Sequence, residues 1–247
     1  MDRLIYTSLS AMRGAMARQQ ATANNLANAS TPGFRAEIAE ARALWLDGPS
    51  IEDRAMASEE VVSADMNSGP VTGTGRDLDI ALSGDSLLAV QSAQGEEAYT
   101  RRGDLQLSPS GLLTTGDGRP VLGDGGPITI PSADKVTIGP DGRVLIVPAG
   151  GDPASPQELD RLKLVSPGGT PVLKGLDGLF RAETGGTLPA DPDARVTSGQ
   201  LEQSNVSATQ ALVDMIDASR SWDMQLKLIT SARDLDGASA DLMRLPD

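Results

Sequence analysis

Acid–base chemistry in this sequence would have to run on carboxylates. The chain holds 34 Asp and Glu residues but no His and no Cys. Ser-His-Asp and Cys-His nucleophiles are therefore excluded, as are disulfides and the commonest metal ligands. A pair of carboxylates flanking a substrate remains the one acid–base arrangement that the composition permits. Nearly all the acids, however, stand beside Gly, Pro or Ser, where Asp is an ordinary turn residue. Asp117 and Asp124 suit a hard cation, yet the EF-hand spacing is absent and turn formation accounts for both. Phosphate cradles fail too: Gly168–Lys174 is glycine-rich but lacks the Gly-Lys-Ser/Thr ending, and Gly73-Thr-Gly75-Arg-Asp-Leu has no third glycine. The sequence predicts no catalytic residue, no metal ligand and no cofactor.

Charge narrows the partners. The net charge is −13, and residues 43–204 carry −12 of it. A phosphate backbone is gripped by clustered Lys and Arg, so a nucleic-acid partner is not expected. No stretch of about 20 apolar residues is present to insert into a membrane. The start, Met1 to Ser10, lacks the apolar run of a secretory signal, so any export is expected to use an uncleaved route.

With no catalytic side chains to position, the elements themselves carry the interest. Ile5, Leu9, Met12, Met16, Ala23 and Leu26 recur at steps of three, four and seven, which predicts a helix from Asp2 to Asn28 with one apolar stripe. It ends at Ser30-Thr31-Pro32-Gly33, because proline removes a donor and disfavours helix in the residue before it. A second stripe, Ala208, Leu212, Met215, Ser219, Trp222, Leu226 and Ile229, alternates steps of four and three. Ser207 and Gln210 have capping-box spacing at its start, with Ser204 or Asn205 as the alternative cap, and a further amphipathic turn or two is expected after Asp236-Gly237. Two helices with so few large apolar side chains are marginal alone and need more surface to pack on, either the middle of the chain or another subunit. Alanines crowd both helices, and small faces permit close helix approach on several sides.

Between the helices the pattern changes. Residues 36–76 mix charge with Gly, Pro, Ser and Asp and read as an extended arm or linker, with strand-like pieces at Val61-Val62 and Val71-Thr72. Residues 77–197 hold short apolar runs separated by turns, among them Leu78–Leu82, Leu87–Gln91, Val136–Ile138 and Val144–Val147. Asp-Gly pairs at Asp117, Asp124, Asp141 and Asp177 supply the positive-φ positions of tight hairpins. The fold class expected is α+β: residues 1–35 and 198–247 give helices that pair in a coiled-coil-like bundle, around a central antiparallel all-β domain.

The terminal segments resemble a known family. Thr22-Ala-Asn24-Asn25-Leu26-Ala27-Asn28-Ala29-Ser30-Thr31-Pro32-Gly33-Phe34-Arg35 is similar to the N-terminal signature of flagellar rod, hook and hook-associated proteins. Ser198 to Val206, Leu212 to Ile216 and Ser219 to Gln225 resemble the matching C-terminal signature, with Trp222-Asp223 where the family more often has Phe or Tyr followed by Glu. Arg76–Leu82 and Ala98–Gly103 resemble the start of its β domain, although the usual Gly-Asp-Gly-aromatic segment is here Gly84-Asp85-Ser86-Leu87-Leu88. Within the family, the opening residues and length look most like the proximal-rod members, with the distal-rod members as the alternative. The resemblance implies a structural subunit of the bacterial basal-body rod, exported by the flagellar type III apparatus and assembling with copies of itself and other rod proteins across the periplasm to transmit torque. It also implies an assembly motif at Asn24, Asn25, Leu26, Asn28, Ser30, Thr31, Pro32, Gly33 and Phe34. A helix seam is expected at Ile5, Leu9, Met12, Met16, Leu212, Met215, Trp222, Leu226 and Ile229.

Overall fold

The computed structural model describes residues 2–46 and 54–243, with side chains at 9–39, 63–235, 237 and 238. The expected residues 47–53 of the arm, the Ile5 side chain, and the side chains of Leu242 and Met243 lie outside these. The class is α+β, and the chain forms two compact units.

The first unit contains the terminal helices, α1 (Asp2–Ala27) and α2 (Ala208–Met243), and a two-stranded antiparallel sheet of β1 (Glu37–Leu46) and β2 (Arg54–Ala64). α1 packs against α2 and against both strands. Ser207 caps α2: its Oγ accepts from the Gln210 N–H at 3.4 Å, and its carbonyl accepts the first helical bond from the Ala211 N–H at 2.9 Å. α2 then runs 36 residues, about 54 Å, without interruption. The further turns expected after Asp236-Gly237 are present as a direct continuation of α2. One glycine costs about 1 kcal/mol relative to alanine, too little to end a helix flanked by good helix formers.

The segment expected as an arm forms, over its described residues up to Ala64, the β1–β2 sheet, whose register runs from Glu37↔Ala64 to Leu46↔Arg54 with a bulge at Ile38/Ala39; the strand-like pieces Val61-Val62 and Val71-Thr72 both lie on strands. Ala, Glu and Arg dominate β1 and β2, and their weak strand preference hides them from a pattern search. Pairing along ten residue partners compensates.

The second unit spans 28–36 and 66–206 and is antiparallel throughout. Its largest sheet has the order Leu164–Val165, Leu87–Gln91, Glu97–Thr100, Phe180–Ala182, Val172–Lys174. A three-stranded sheet holds Ala133–Ile138, Arg143–Pro148 and Gln157–Arg161. The core is aliphatic: Leu88, Val90, Leu105, Leu113, Val121, Ile128, Val144 and Leu162 are fully buried. Leu105–Leu107, Leu122–Gly123, Gln157–Arg161, Val172–Lys174, Val196–Ser198 and Gln200–Glu202 escape the sequence pattern, because strands this short show too few residues to reveal a period. The unit also reaches past 197, since Val71–Gly73 pairs with Gln200–Glu202.

Candidate functional site: the two terminal motifs

The N-terminal motif divides between the two units. In the first, Asn25 locks the start of β1. Its Oδ1 accepts from the Glu37 N–H at 2.7 Å and its Nδ2 donates to the Glu37 carbonyl at 2.9 Å, while Asn24 Nδ2 donates to the Glu37 carboxylate. A side-chain amide thus takes the place of a paired strand, which is why Asn suits this position. Leu26 is half-buried.

Asn28 to Phe34 belong to the second unit and form its edge. The Thr31 N–H bonds the Asn28 carbonyl at 3.0 Å, the Thr31 hydroxyl bonds Asn28 Oδ1 at 3.2 Å, and the Phe34 N–H bonds the Thr31 carbonyl at 3.3 Å. Ser30 and Pro32 fill this turn, Ser30 exposed and Pro32 half-buried. Gly33 has φ +67°, and a Cβ there would lie 2.3 Å from the Arg101 carbonyl oxygen. Backbone conformation and space both demand glycine. The Phe34 ring carries the Lys174 ammonium 3.6 Å from its centroid, and the same ammonium donates to the Arg35 carbonyl at 2.9 Å.

Glu202, from the C-terminal motif, holds this edge in place. Its carbonyl accepts from the Gly33 N–H at 2.8 Å, and its Oε1 accepts from the Gly69 N–H at 2.9 Å and from Arg35 Nη1. Arg101 donates to Oε2 from Nε at 3.0 Å and also from Nη2. The rest of the Arg101 fork satisfies the Gly84 and Ser86 carbonyls at 2.7 Å each and the Leu82 carbonyl at 3.0 Å. Arg35, Arg101 and Glu202 are 1%, 3% and 2% exposed. Burial opposes ionisation of Glu202, but the Arg35 hydrogen bond and the Arg101 charge outweigh it and hold the carboxyl below the usual carboxylate range. Nearby, Asn205 Oδ1 accepts from the Ala36 N–H at 2.7 Å and its Nδ2 donates to the Asn67 carbonyl at 3.0 Å.

The helix seam is placed differently from the motif. Leu9, Met16, Leu212 and Leu226 are 43%, 51%, 50% and 42% exposed in the single chain. Met12, Met215, Trp222 and Ile229 are half-buried. What α1 buries is Gly14, Ala15 and Ala21. The inward line of α2 is Ala211, Met215, Ala218, Trp222, Gln225, Ile229 and Ala232, at steps of four and three, so three of the expected residues face in and two face out. Val213, Ile216, Met224, Leu228 and Leu235 are exposed as well.

Sequence reasoning quoted Arg35, Arg101 and Glu202 inside motifs without pairing them. Among the described residues, no group of three or more Asp and Glu is placed to hold a metal ion. Asp117 is engaged by the Thr115 hydroxyl and by Arg119 Nε at 3.0 Å, which makes it an ion-paired turn residue.

Comparison with known proteins converges on one family. A family model described as Flagella basal body rod protein matches residues 5–35, one described as Flagellar hook protein FlgE/F/G D1 domain matches residues 81–146, and one described as Flagellar basal body rod FlgEFG protein C-terminal matches residues 197–242. The flagellar basal-body rod protein FlgF of Salmonella typhimurium is 43% identical over 251 residues, covering 99% of this chain and 100% of the relative. Its Escherichia coli counterpart is 44% identical over 252 residues, with the same coverage. The rod protein FlgG of Bacillus subtilis is 31% identical over 258 residues, covering 95% and 97%.

Proposed function

Since the chain belongs to the flagellar basal-body rod protein family, we propose that it is a structural subunit of the proximal rod, assembling with other rod proteins and with copies of itself through α1 and α2. It sits in the rod of the basal body, carries torque rather than a reaction, and reaches its site through the flagellar type III export apparatus.

The observation that supports assembly through the helices is the outward apolar line. Leu9 and Met16 on α1, with Leu212, Ile216, Leu226 and Leu228 on α2, are all exposed in a single chain. Each such side chain gains about 1.5–3 kcal/mol when fully buried. A helix apolar on more than one face is one that expects neighbours on more than one face. Asn24 and Asn25 at the end of α1 then hold the start of β1.

Leu226→Asp tests this. The residue is exposed, so the isolated chain keeps its circular dichroism spectrum and its stability within about 0.5 kcal/mol. Swimming is lost, and the chain is missing from purified basal bodies, because a charge now sits in a subunit contact. Normal motility and normal recovery in basal bodies would remove the helices from the assembly surface.

A further inference from the structure

The second unit displays an apolar side chain with no partner inside its own hairpin. Leu176 is fully exposed at the tip of the hairpin Val172–Lys174/Phe180–Ala182, and Leu173 on the same hairpin is also exposed. The tip is held rigidly. The Gly178 N–H bonds the Gly175 carbonyl at 3.0 Å and the Gly175 N–H bonds the Leu179 carbonyl at 2.8 Å. Asp177 accepts from the Leu179 N–H at 3.2 Å and twice from the Arg181 guanidinium, at 3.0 and 2.7 Å. Arg119 Nη2 donates to the Asp177 carbonyl from outside the hairpin at 3.2 Å. A turn fixed in this way loses little conformational freedom on docking.

The opposite edge of the same sheet has a cavity. The hairpin closes one edge, and Leu164–Val165 forms the other, where Ala190 bridges Val165. Beside that edge lies a cavity of about 530 Å³ with Leu122, Leu188, Pro189 and Ala190 on its apolar wall. Leu188 is fixed there by its N–H bond to the buried Tyr99 hydroxyl. Cavities of about 300–1,000 Å³ accept compact ligands, and a four-residue turn with one projecting leucine is such a body. The charges also match. The hairpin carries Lys174 and Arg181 against Asp177, one net positive; the cavity carries Glu97 and Asp124 against Lys163, one net negative.

We infer that Leu176 inserts into this cavity on a second copy of the same chain, an inference that rests on the rod-subunit reading above. A projection on one edge of a sheet and a recess on the other make a heterologous contact, which repeats from copy to copy around a ring or along a helix. Leu176 is the anchor of the contact, and the Glu97–Lys163 pair, 2.8 Å apart, is its polar rim.

The chain has no cysteine, so introduced thiols report cleanly. Leu176→Cys and Ala190→Cys chains are expressed together, and purified basal bodies are treated with a mild oxidant and run without reductant. The expected product is an adduct of twice the chain mass that forms only when both variants are present. An adduct from Leu176→Cys alone, an adduct with a different protein, or no adduct overturns the contact. The wild-type chain, probed in the same basal bodies, keeps the two readings apart: its presence without the adduct sinks only the Leu176 contact, whereas its absence sinks the rod assignment as well. Leu176→Asp gives a second measure. It leaves the soluble chain folded and lowers recovery in basal bodies several-fold, and recovery equal to Leu176→Ile overturns the contact.

Discussion

Glu202 keeps its charge where water cannot reach it because two guanidiniums and the Gly69 N–H bond its carboxylate. Removing the charge while keeping the shape therefore leaves Arg35 and Arg101 buried without an anion, and breaking such a set costs about 3–5 kcal/mol. Glu202→Gln is expected to lower the unfolding free energy of the second unit by that amount at pH 7, read from urea titration. The pH dependence has a definite sign. The folded Glu202 carboxyl titrates lower than the unfolded one, so the unfolded chain binds more protons between the two values and stability rises with pH there. The contribution is fully present above the unfolded value, about 4.3, and is lost as pH falls through the folded value. The gap between wild type and Glu202→Gln should therefore narrow below about pH 4; a gap independent of pH would mean that the carboxylate charge is not what holds the edge. This clasp was only half legible in the sequence. Each member stood in a recognisable motif, but Arg35 and Arg101 meet Glu202 across 167 and 101 positions, and a single sequence does not say which cation meets which acid. Gly33 was legible as a helix stop, while its contact with the Arg101 carbonyl needed the fold.

At the scale of elements, both terminal helices were legible, but which face turns inward was not. On α2 the expected stripe and the observed inward line share Met215, Trp222 and Ile229 and part company at Leu212 against Ala211, and at Leu226 against Gln225. The two lines have the same three-four period and differ by one position at alternate members, so periodicity alone cannot choose between them. Where the lines part, the leucines of α2 stay exposed and are left for a wider contact. On α1 the inward face can be tested at Ala15, 1% exposed. Ala15→Leu adds volume to the buried face of α1 and is expected to cost about 1–3 kcal/mol, read as faster hydrogen exchange in α1 of the isolated chain. Met16→Leu, one position away and exposed, should leave exchange unchanged. Equal protection in wild type and Ala15→Leu would show that the small-residue face is not the intrachain contact. Of the β1–β2 sheet only Val61-Val62 was legible: most of its residues are poor strand formers one by one, and the pairing of both strands stabilises them.

For the whole molecule, two forces of opposite tendency act on assembly. The exposed apolar line on α1 and α2 draws chains together, and the net charge of −13, nearly all of it in residues 43–204, drives them apart. Salt separates the two. The repulsion is screened over about 10 Å at 0.1 M ionic strength, whereas burial of apolar surface is not weakened by it. Sedimentation of the purified chain should accordingly show a larger associated fraction at about 0.5 M sodium chloride than at about 0.02 M. Leu226→Asp should flatten that rise, since it removes attraction without removing the acidic surface. A wild-type associated fraction that fell with salt would mean that ion pairs, not the apolar helix faces, join the subunits. The acid would then be part of the contact rather than the brake upon it.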